Sequence, residues 1–198
     1  MKKICIILLF FFQNAIAQDK FYIGASSTDI EFDSSVSGLT GSAKLDEDDR
    51  GRKFFIGYQT SKNFGFEFHR AIFGDLALTG TTGDQFISNG TAFVIVQPNS
   101  EIKSKVKSYG AALTYNYPIH EKVSIFAKAG LHRWKVVTTD NYNGDYQDEN
   151  GLGLLTGIGT DIHVFKKLNF RLDYEKYEID SDDVDDIDSF SVGLKLDI

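Results

Sequence analysis

The chain has 198 residues, 42% of them hydrophobic, with seventeen Phe, nine Tyr, two Pro and a formal net charge of −7. That length suits one domain, and the acid excess argues against nucleic acid as a partner. The single cysteine, Cys5, lies in a leader, so the mature chain has neither a disulfide framework nor a thiol metal site.

Met1-Lys2-Lys3 is a short basic start, residues 4–12 are an unbroken apolar run, and Ala15-Ile16-Ala17 is a small-x-small site before Gln18. This pattern predicts a secretory signal peptide over residues 1–17, because a spanning helix needs about 20 apolar residues. Cleavage removes Lys2 and Lys3 and takes the formal charge from −7 to −9. No later segment is long and apolar enough for a spanning helix. A barrel does not need one, because only alternate residues of each strand face lipid.

Residues 21–32 read as a first strand with Phe21, Ile23 and Ala25 outward and a phase that becomes ambiguous near Asp29. Ser34 to Gly51, rich in Ser, Gly and acid, reads as a long loop. In the second strand Phe54, Ile56 and Tyr58 alternate with Phe55, Gly57 and Gln59, and Thr60 to Asn63 is a tight turn. The third has the sharpest alternation, Phe64, Phe66 and Phe68 outward and Gly65, Glu67 and His69 inward. Gly74 to Ser104 reads as the longest connection, with a β-prone stretch at Ala92 to Gln97 that extends a hairpin above the membrane.

The fourth strand sets Tyr109, Ala111, Leu113, Tyr115 and Tyr117 against Ser108, Gly110, Ala112, Thr114 and Asn116, and Pro118 opens a turn. The fifth places Val123, Ile125, Ala127, Ala129 and Leu131 outward and Phe126, Lys128, Gly130 and His132 inward. Thr138 to Asn150 reads as a polar loop. In the sixth, Leu152, Leu154, Ile158 and Ile162 oppose Gly153, Gly157, Gly159 and Asp161, the glycines leaving room in a narrow barrel. After a turn at Phe165-Lys166-Lys167 the seventh sets Leu168, Phe170, Leu172 and Tyr174 against Asn169, Arg171, Asp173 and Glu175. Asp180 to Asp188 reads as an acidic loop. The closing strand alternates without a break, with Phe190, Val192, Leu194, Leu196 and Ile198 on one face.

Eight strands joined by alternately long and short connections predict an all-β fold, an eight-stranded antiparallel up-and-down transmembrane β-barrel over residues 18–198. Short turns then lie on the periplasmic side, and the last strand meets the first because every backbone group in lipid must be paired.

Gly57-Tyr58-Gln59 with Phe64-Gly65-Phe66-Glu67, Tyr117-Pro118-Ile119 leading to Ile125-Phe126-Ala127-Lys128, and Phe170-Arg171-Leu172-Asp173-Tyr174 resemble the OmpA-like eight-stranded outer-membrane barrels, which include the OmpX, Ail and opacity-protein types. Most of the mature chain shares the likeness; the loops do not. Two departures stand out: no peptidoglycan-binding domain follows the barrel, and Ile198 ends the chain where such strands usually end in Phe. The resemblance implies a charged pair across the lumen, with Glu67 and Arg171 at the matching positions, that blocks or gates it. It also implies a second pair, with an acid where Asp161 falls and a lysine where Thr114 falls, broken here unless Lys128 substitutes.

Chemistry beyond this is sparse. His69, His132 and His163 point inward on different strands without a nucleophile motif such as Gly-x-Ser-x-Gly, and His120 lies in a turn. Arg133 and Trp134 read as interfacial residues near the outer rim. The acids from Asp180 to Asp188 lack the spacing of an EF-hand and read as a solvated loop. The sequence therefore predicts a monomeric outer-membrane protein of a Gram-negative bacterium with a structural or adhesin-like surface role and no enzymatic activity, cofactor or metal. A narrow gated porin-like channel is the alternative and a barrel enzyme a third reading. Its expected partners are outer-membrane lipid and lipopolysaccharide, the barrel-assembly machinery during insertion, and a host or surface ligand at the outer loops.

Overall fold

A computed structural model describes residues 20–60, 63–142, 144–182 and 184–198. The expected signal peptide over 1–17, Ser61 and Lys62 of the tight turn Thr60 to Asn63, Asn143 of the expected polar loop and Asp183 of the expected acidic loop lie outside the described residues. Twelve strands follow in order: β1 Lys20–Ser34, β2 Val36–Ser37, β3 Lys44–Asp46, β4 Asp48–Gln59, β5 Phe64–Gly80, β6 Gln85–Ser88, β7 Thr91–Val94, β8 Ser100–His120, β9 Val123–Asp140, β10 Gly144–His163, β11 Leu168–Glu178 and β12 Val184–Asp197. Among the described residues there is no helix.

Eight of these strands form the wall. β1, β4, β5, β8, β9, β10, β11 and β12 pair antiparallel with their neighbours, and β12 returns to β1, with Tyr22 opposite Asp197 and Asp29 opposite Phe190. The sheet is a closed antiparallel barrel, so its wall leaves no row of unpaired backbone groups. The short turns β4–β5, β8–β9 and β10–β11 gather at one end together with Lys20 and Ile198. At the opposite, loop end, β3 adds to the upper part of β5, and β2, β6 and β7 make a three-stranded sheet of their own. There Asn89 Nδ2 and Ser35 Oγ both donate to the carbonyl of Asp182, at 2.9 and 2.6 Å. The β6–β7 hairpin thereby reaches the β11–β12 turn.

Four expected loops are largely strand, the longest among them: Gly74 to Ser104 holds the end of β5, all of β6 and β7 and the start of β8, and the hairpin there turns at Asn89 and Gly90, ahead of the β-prone stretch expected at Ala92 to Gln97. β9 and β10 pair to Asp140 and Gly144, where a polar loop from Thr138 to Asn150 is expected. β3 and the start of β4 occupy much of 34–51, and β12 begins at Val184 within the expected acidic loop. The cause is physical. Beyond the membrane both faces of an antiparallel ladder can carry polar side chains, so pairing continues where the lipid-facing pattern stops.

The apolar phase also inverts there. Near the turn end the apolar side chains point outward, as with Phe66 and Leu194, both 52% exposed. Near the loop end they point inward. On five strands the switch occurs within three residues, and three is an odd step, which crosses the sheet: Phe68 out to Ala71 in, Tyr109 out to Val106 in, Leu131 out to Trp134 in, Tyr174 out to Tyr177 in, and Phe190 out to Ile187 in. On β1 the switch runs from Ala25 to Ile30, which accounts for the ambiguous phase around Asp29. Trp134, expected at the interface, is instead buried inside at 4% exposure, because its parity is opposite to that of Arg133.

Candidate functional site

The lumen is filled in two storeys. Around the loop end the storey is apolar, with Phe32, Phe73, Val106, Val136, Ile179 and Ile187 in one buried cluster. Toward the turn end it is charged. Lys53, Lys128, Arg171 and Lys195 face Glu67, Asp161, Asp173 and Glu175, four cations against four anions, of which all but Lys195 are buried. Charge balance is what a site with little water requires, since an unmatched buried ion costs several kcal/mol.

Arg171 is the centre. Its Nη1 lies 2.6 Å from Glu67 Oε2, and its Nε and Nη2 grip the two oxygens of Asp161 at 2.7 and 3.0 Å, a bidentate fork. The guanidinium lies between aromatic faces, 4.7 Å from the Phe55 ring, 4.4 Å from Phe126 and 5.5 Å from Tyr22. Glycines make that box possible. A Cβ on Gly57 would stand 2.1 Å from Tyr22 Cζ, on Gly159 2.4 Å from Phe126 Cζ, and on Gly24 2.2 Å from Phe55 Cζ.

Lys128 reaches Glu67 at 3.0 Å, Asp173 at 3.3 Å and Glu175 at 2.5 Å. Lys53 binds Asp173 at 2.7 Å and also contacts Glu175. The structure thus brings Glu67, Arg171, Lys128 and Asp161 into one network, in which Glu67 and Arg171 meet at 2.6 Å and the second pair differs from the one the resemblance implies. Lys128 does not stand in for the missing partner of Asp161; Lys195 does, at 2.5 Å from Asp161 Oδ2. Asp173 and Glu175 were read as inward but not as site residues, and Lys53 and Lys195 are the cations that the sequence reading left out. The signal was present, since both lie on the inward parity of strands with outward Phe54 and Leu194.

Between the storeys, Ser108 Oγ lies 2.9 Å from His132 Nδ1 and 3.4 Å from His69 Nε2, and Tyr177 packs on both imidazoles. A serine beside a histidine is the start of nucleophilic machinery. Ser108, however, has 0% exposure and His132 1%, and the two storeys cover them from both ends. His163 bonds Asn169 at the turn end, 2.8 Å away. Among the described residues no group of three or more His, Cys, Asp or Glu side chains is placed to hold a metal ion.

At the loop end, Asp84 accepts from Ser42 Oγ at 2.6 Å and from the backbone N–H of Thr81 at 2.9 Å. The Ser42 hydroxyl first, then the Thr81 amide, hold its carboxyl below the usual range. Asp185 is pushed the other way, by partial burial and then by Asp33, Asp186 and Asp180 around it. The acidic stretch is not uniformly solvated: Asp186 pairs with Lys176 at 2.6 Å, and Asp188 accepts from Tyr174 Oη at 2.7 Å.

The sequence model of the outer membrane protein beta-barrel domain matches residues 4–197. The chain belongs to that family of outer-membrane β-barrels. Among solved structures it is similar to neisserial surface protein A, at 15% identity over 89% of this chain and 96% of that one, with a TM-score of 0.59. It is also similar to OprG of Pseudomonas aeruginosa, at 12% identity over 91% and 96% of the two chains and a TM-score of 0.57. A third is Ail, the attachment invasion locus protein of Yersinia pestis, solved with the heparin analogue sucrose octasulfate, at 16% identity over 91% and 97% and a TM-score of 0.52. At these identities the likeness is one of fold. No curated protein matches the chain in sequence.

Proposed function

We propose that the protein is a non-enzymatic outer-membrane surface barrel that acts through its loop end, which faces the cell exterior, and that its lumen does not conduct. The observation that supports this is the filling of the lumen by two unlike storeys. An ion crossing it has to break a balanced network around Arg171 and then pass a dry apolar layer in which nothing replaces its hydration. A gated pore would need both storeys to open together.

The surface suited to contact is the edge formed by β7 and the residues after it, where Phe93, Val94 and Val96 are 46%, 55% and 75% exposed. Apolar side chains grouped on a polar extension mark an interaction site. The sulfated ligand of Ail is not carried over to the β1 and β11–β12 side, since the acids Asp29, Glu31, Asp33, Asp186 and Asp188 would repel it. In planar bilayers the refolded protein is expected to give no discrete openings, and cells displaying it to lose surface attachment on Phe93→Ser with Val96→Ser. Stepwise conductance by the unmutated protein would overturn the reading.

A further inference from the structure

Just past the outward apolar band, the wall is divided by charge. On four adjacent strands the first side chain to break the outward apolar run is basic: Arg52 after Phe54 on β4, Arg70 after Phe68 on β5, Lys107 after Tyr109 on β8 and Arg133 after Leu131 on β9, with Ile72 and Val137 farther out on β5 and β9. All four are exposed. The other four strands carry Asn150, Lys176, Asp188 and Ser27 at this level, with Asp29, Glu31 and Asp33 above, and Lys176 is already paired with Asp186.

Within the basic arc the ladder sets Lys107 directly opposite Lys135 on the same outward face. Like charges across a strand pair destabilise it unless something anionic lies between them. Lys135 has Asp148 at 2.6 Å and Arg133 has Asn150 at 2.8 Å. Among the described residues Arg52, Arg70 and Lys107 have no carboxylate within salt-bridge distance. The acids nearest the arc are engaged with other cations farther from the apolar band: Asp29 of β1, the strand next to β4, meets Arg50 at 3.4 Å, and Asp75 of β5 meets Lys105 at 3.9 Å. With strands about 4.8 Å apart, the arc spans about 14 Å, enough to meet more than one anionic group, at the height where lipid headgroups begin.

We propose that this arc binds the phosphate groups of a phosphorylated glycolipid of the outer leaflet, with Arg52, Arg70, Lys107 and Arg133 as the phosphate ligands. The chemistry fits: arginine offers a fork to phosphate oxygens and lysine a point charge, while the acyl chains lie on Phe54, Phe68 and Leu131 just below. The acidic half of the wall repels the same headgroups, so the lipid is held on one side and fixes the barrel's azimuth relative to its neighbours. The proposal rests on the outer-membrane placement of the barrel and deepens it.

The test refolds the protein in three kinds of vesicle: phosphatidylcholine alone, phosphatidylcholine with lipid A, and phosphatidylcholine with dephosphorylated lipid A. The readout is the temperature at which the unheated electrophoretic form converts to the unfolded one, titrated against lipid content. Lipid A is expected to raise it and the dephosphorylated lipid to leave it unchanged. Apparent affinity for lipid A should fall about fivefold per basic side chain removed across Arg70→Gln, Lys107→Gln and the fourfold variant with Arg52→Gln and Arg133→Gln. Asp29→Asn with Glu31→Gln and Asp33→Asn should keep the response. If the fourfold variant does not fold in phosphatidylcholine, the two single variants decide. An equal rise with dephosphorylated lipid, or an undiminished one in the variants, overturns the site. The same rise with free pyrophosphate in phosphatidylcholine alone overturns lipid as its occupant. Failure to form a heat-convertible species in any vesicle would instead count against the membrane barrel itself.

Discussion

The charged storey can be probed at Arg171 and Glu67. Removing one partner of a buried ion pair costs about 3–5 kcal/mol, because the other charge is left uncompensated. Glu67→Gln belongs at the low end, about 3 kcal/mol, since Arg171 keeps its fork to Asp161 at 2.7 and 3.0 Å. Arg171→Gln is expected to cost more, about 4–5 kcal/mol. Glu67 retains Lys128 at 3.0 Å and Asp161 retains Lys195 at 2.5 Å, but the variant also loses the cation–π contacts with Phe55 and Phe126, worth about 2 kcal/mol when desolvated. The two side chains touch, at 2.6 Å, so the double variant should be less destabilised than the sum by about 1–3 kcal/mol. Urea unfolding of the protein refolded in vesicles, followed by Trp134 fluorescence, measures each corner of the cycle. A double variant that equals the sum within about 0.5 kcal/mol would refute the coupling. Neither single variant is expected to conduct, because the apolar storey around Phe73, Val106 and Ile187 remains intact above the gap. Conductance from Arg171→Gln alone would show that the charged storey is the only barrier.

Gly57→Val would drive its side chain into the Tyr22 ring, which is held by a 3.1 Å bond to Glu67. It should cost about 1–3 kcal/mol by overpacking, read in the same urea assay, and Tyr22→Ala should partly relieve it. Leu172→Arg, on the outward face between Thr160 and Val192, should cost about 2–4 kcal/mol in vesicles; an unchanged midpoint would count against lipid at that height. The two loop-end aspartates should respond to pH in opposite senses. The folded state holds the Asp84 carboxyl below its ordinary value, so its contribution is present above about pH 3.9 and lost as pH falls through the lower folded value. The protection factor of the Thr81 amide, the exchange rate of the unstructured amide at the same pH divided by its own, should therefore fall in acid. The Asp185 carboxyl is raised, so its stabilising contribution is complete below about pH 3.9 and lost as pH rises through the higher folded value. The protection factors of the β11–β12 turn, corrected for intrinsic exchange at each pH, should accordingly rise as pH falls from neutrality, and Asp185→Asn should abolish that gain.

Legibility in the sequence followed the lipid. Where strands face hydrocarbon, every second residue must be apolar, and the alternations at Phe64, Phe66 and Phe68 and from Phe190 to Ile198 were sufficient to read strand, face and closure. Where the wall continues into water, its outward face carries Asp148, Lys135 and Lys105, and a mixed polar run has no period that separates paired backbone from loop. The β9–β10 extension and the start of β12 were lost for that reason. In the lumen the inward parity of Glu67, Arg171, Lys128 and Asp161 was readable. The Glu67–Arg171 contact came from the resemblance alone; the other partners were not legible, because pairing across a barrel depends on stagger and side-chain reach, which put Asp161 beside Lys195 on the last strand and left Lys128 to Glu67, Asp173 and Glu175. His69 and His132 stand 63 positions apart in sequence and share Ser108 for the same reason.

The inversion of apolar phase carries information that composition does not. A wall in lipid puts its apolar side chains outside, while a wall in water puts them inside, so a strand that crosses the boundary has to change parity there. The odd steps Phe68 to Ala71, Leu131 to Trp134 and Tyr174 to Tyr177 are that change, and neighbouring strands make it at adjoining positions of the ladder, with Arg70 opposite Tyr109 and Tyr109 opposite Arg133. Arg70, Lys107, Arg133 and Lys176 each fall within such a step. The same boundary also explains the stacking of the lumen. Below it the outward apolar residues leave only the polar phase to fill the interior, so the filling has to be charged, balanced and clad in aromatic rings. Above it the interior takes the apolar phase and needs no counter-charge. The charged storey and the apolar storey are therefore consequences of one bilayer edge, and a variant that moved the edge by two residues along β5, such as Arg70→Phe with Ile72→Arg, would be expected to tilt the barrel rather than to disturb either storey.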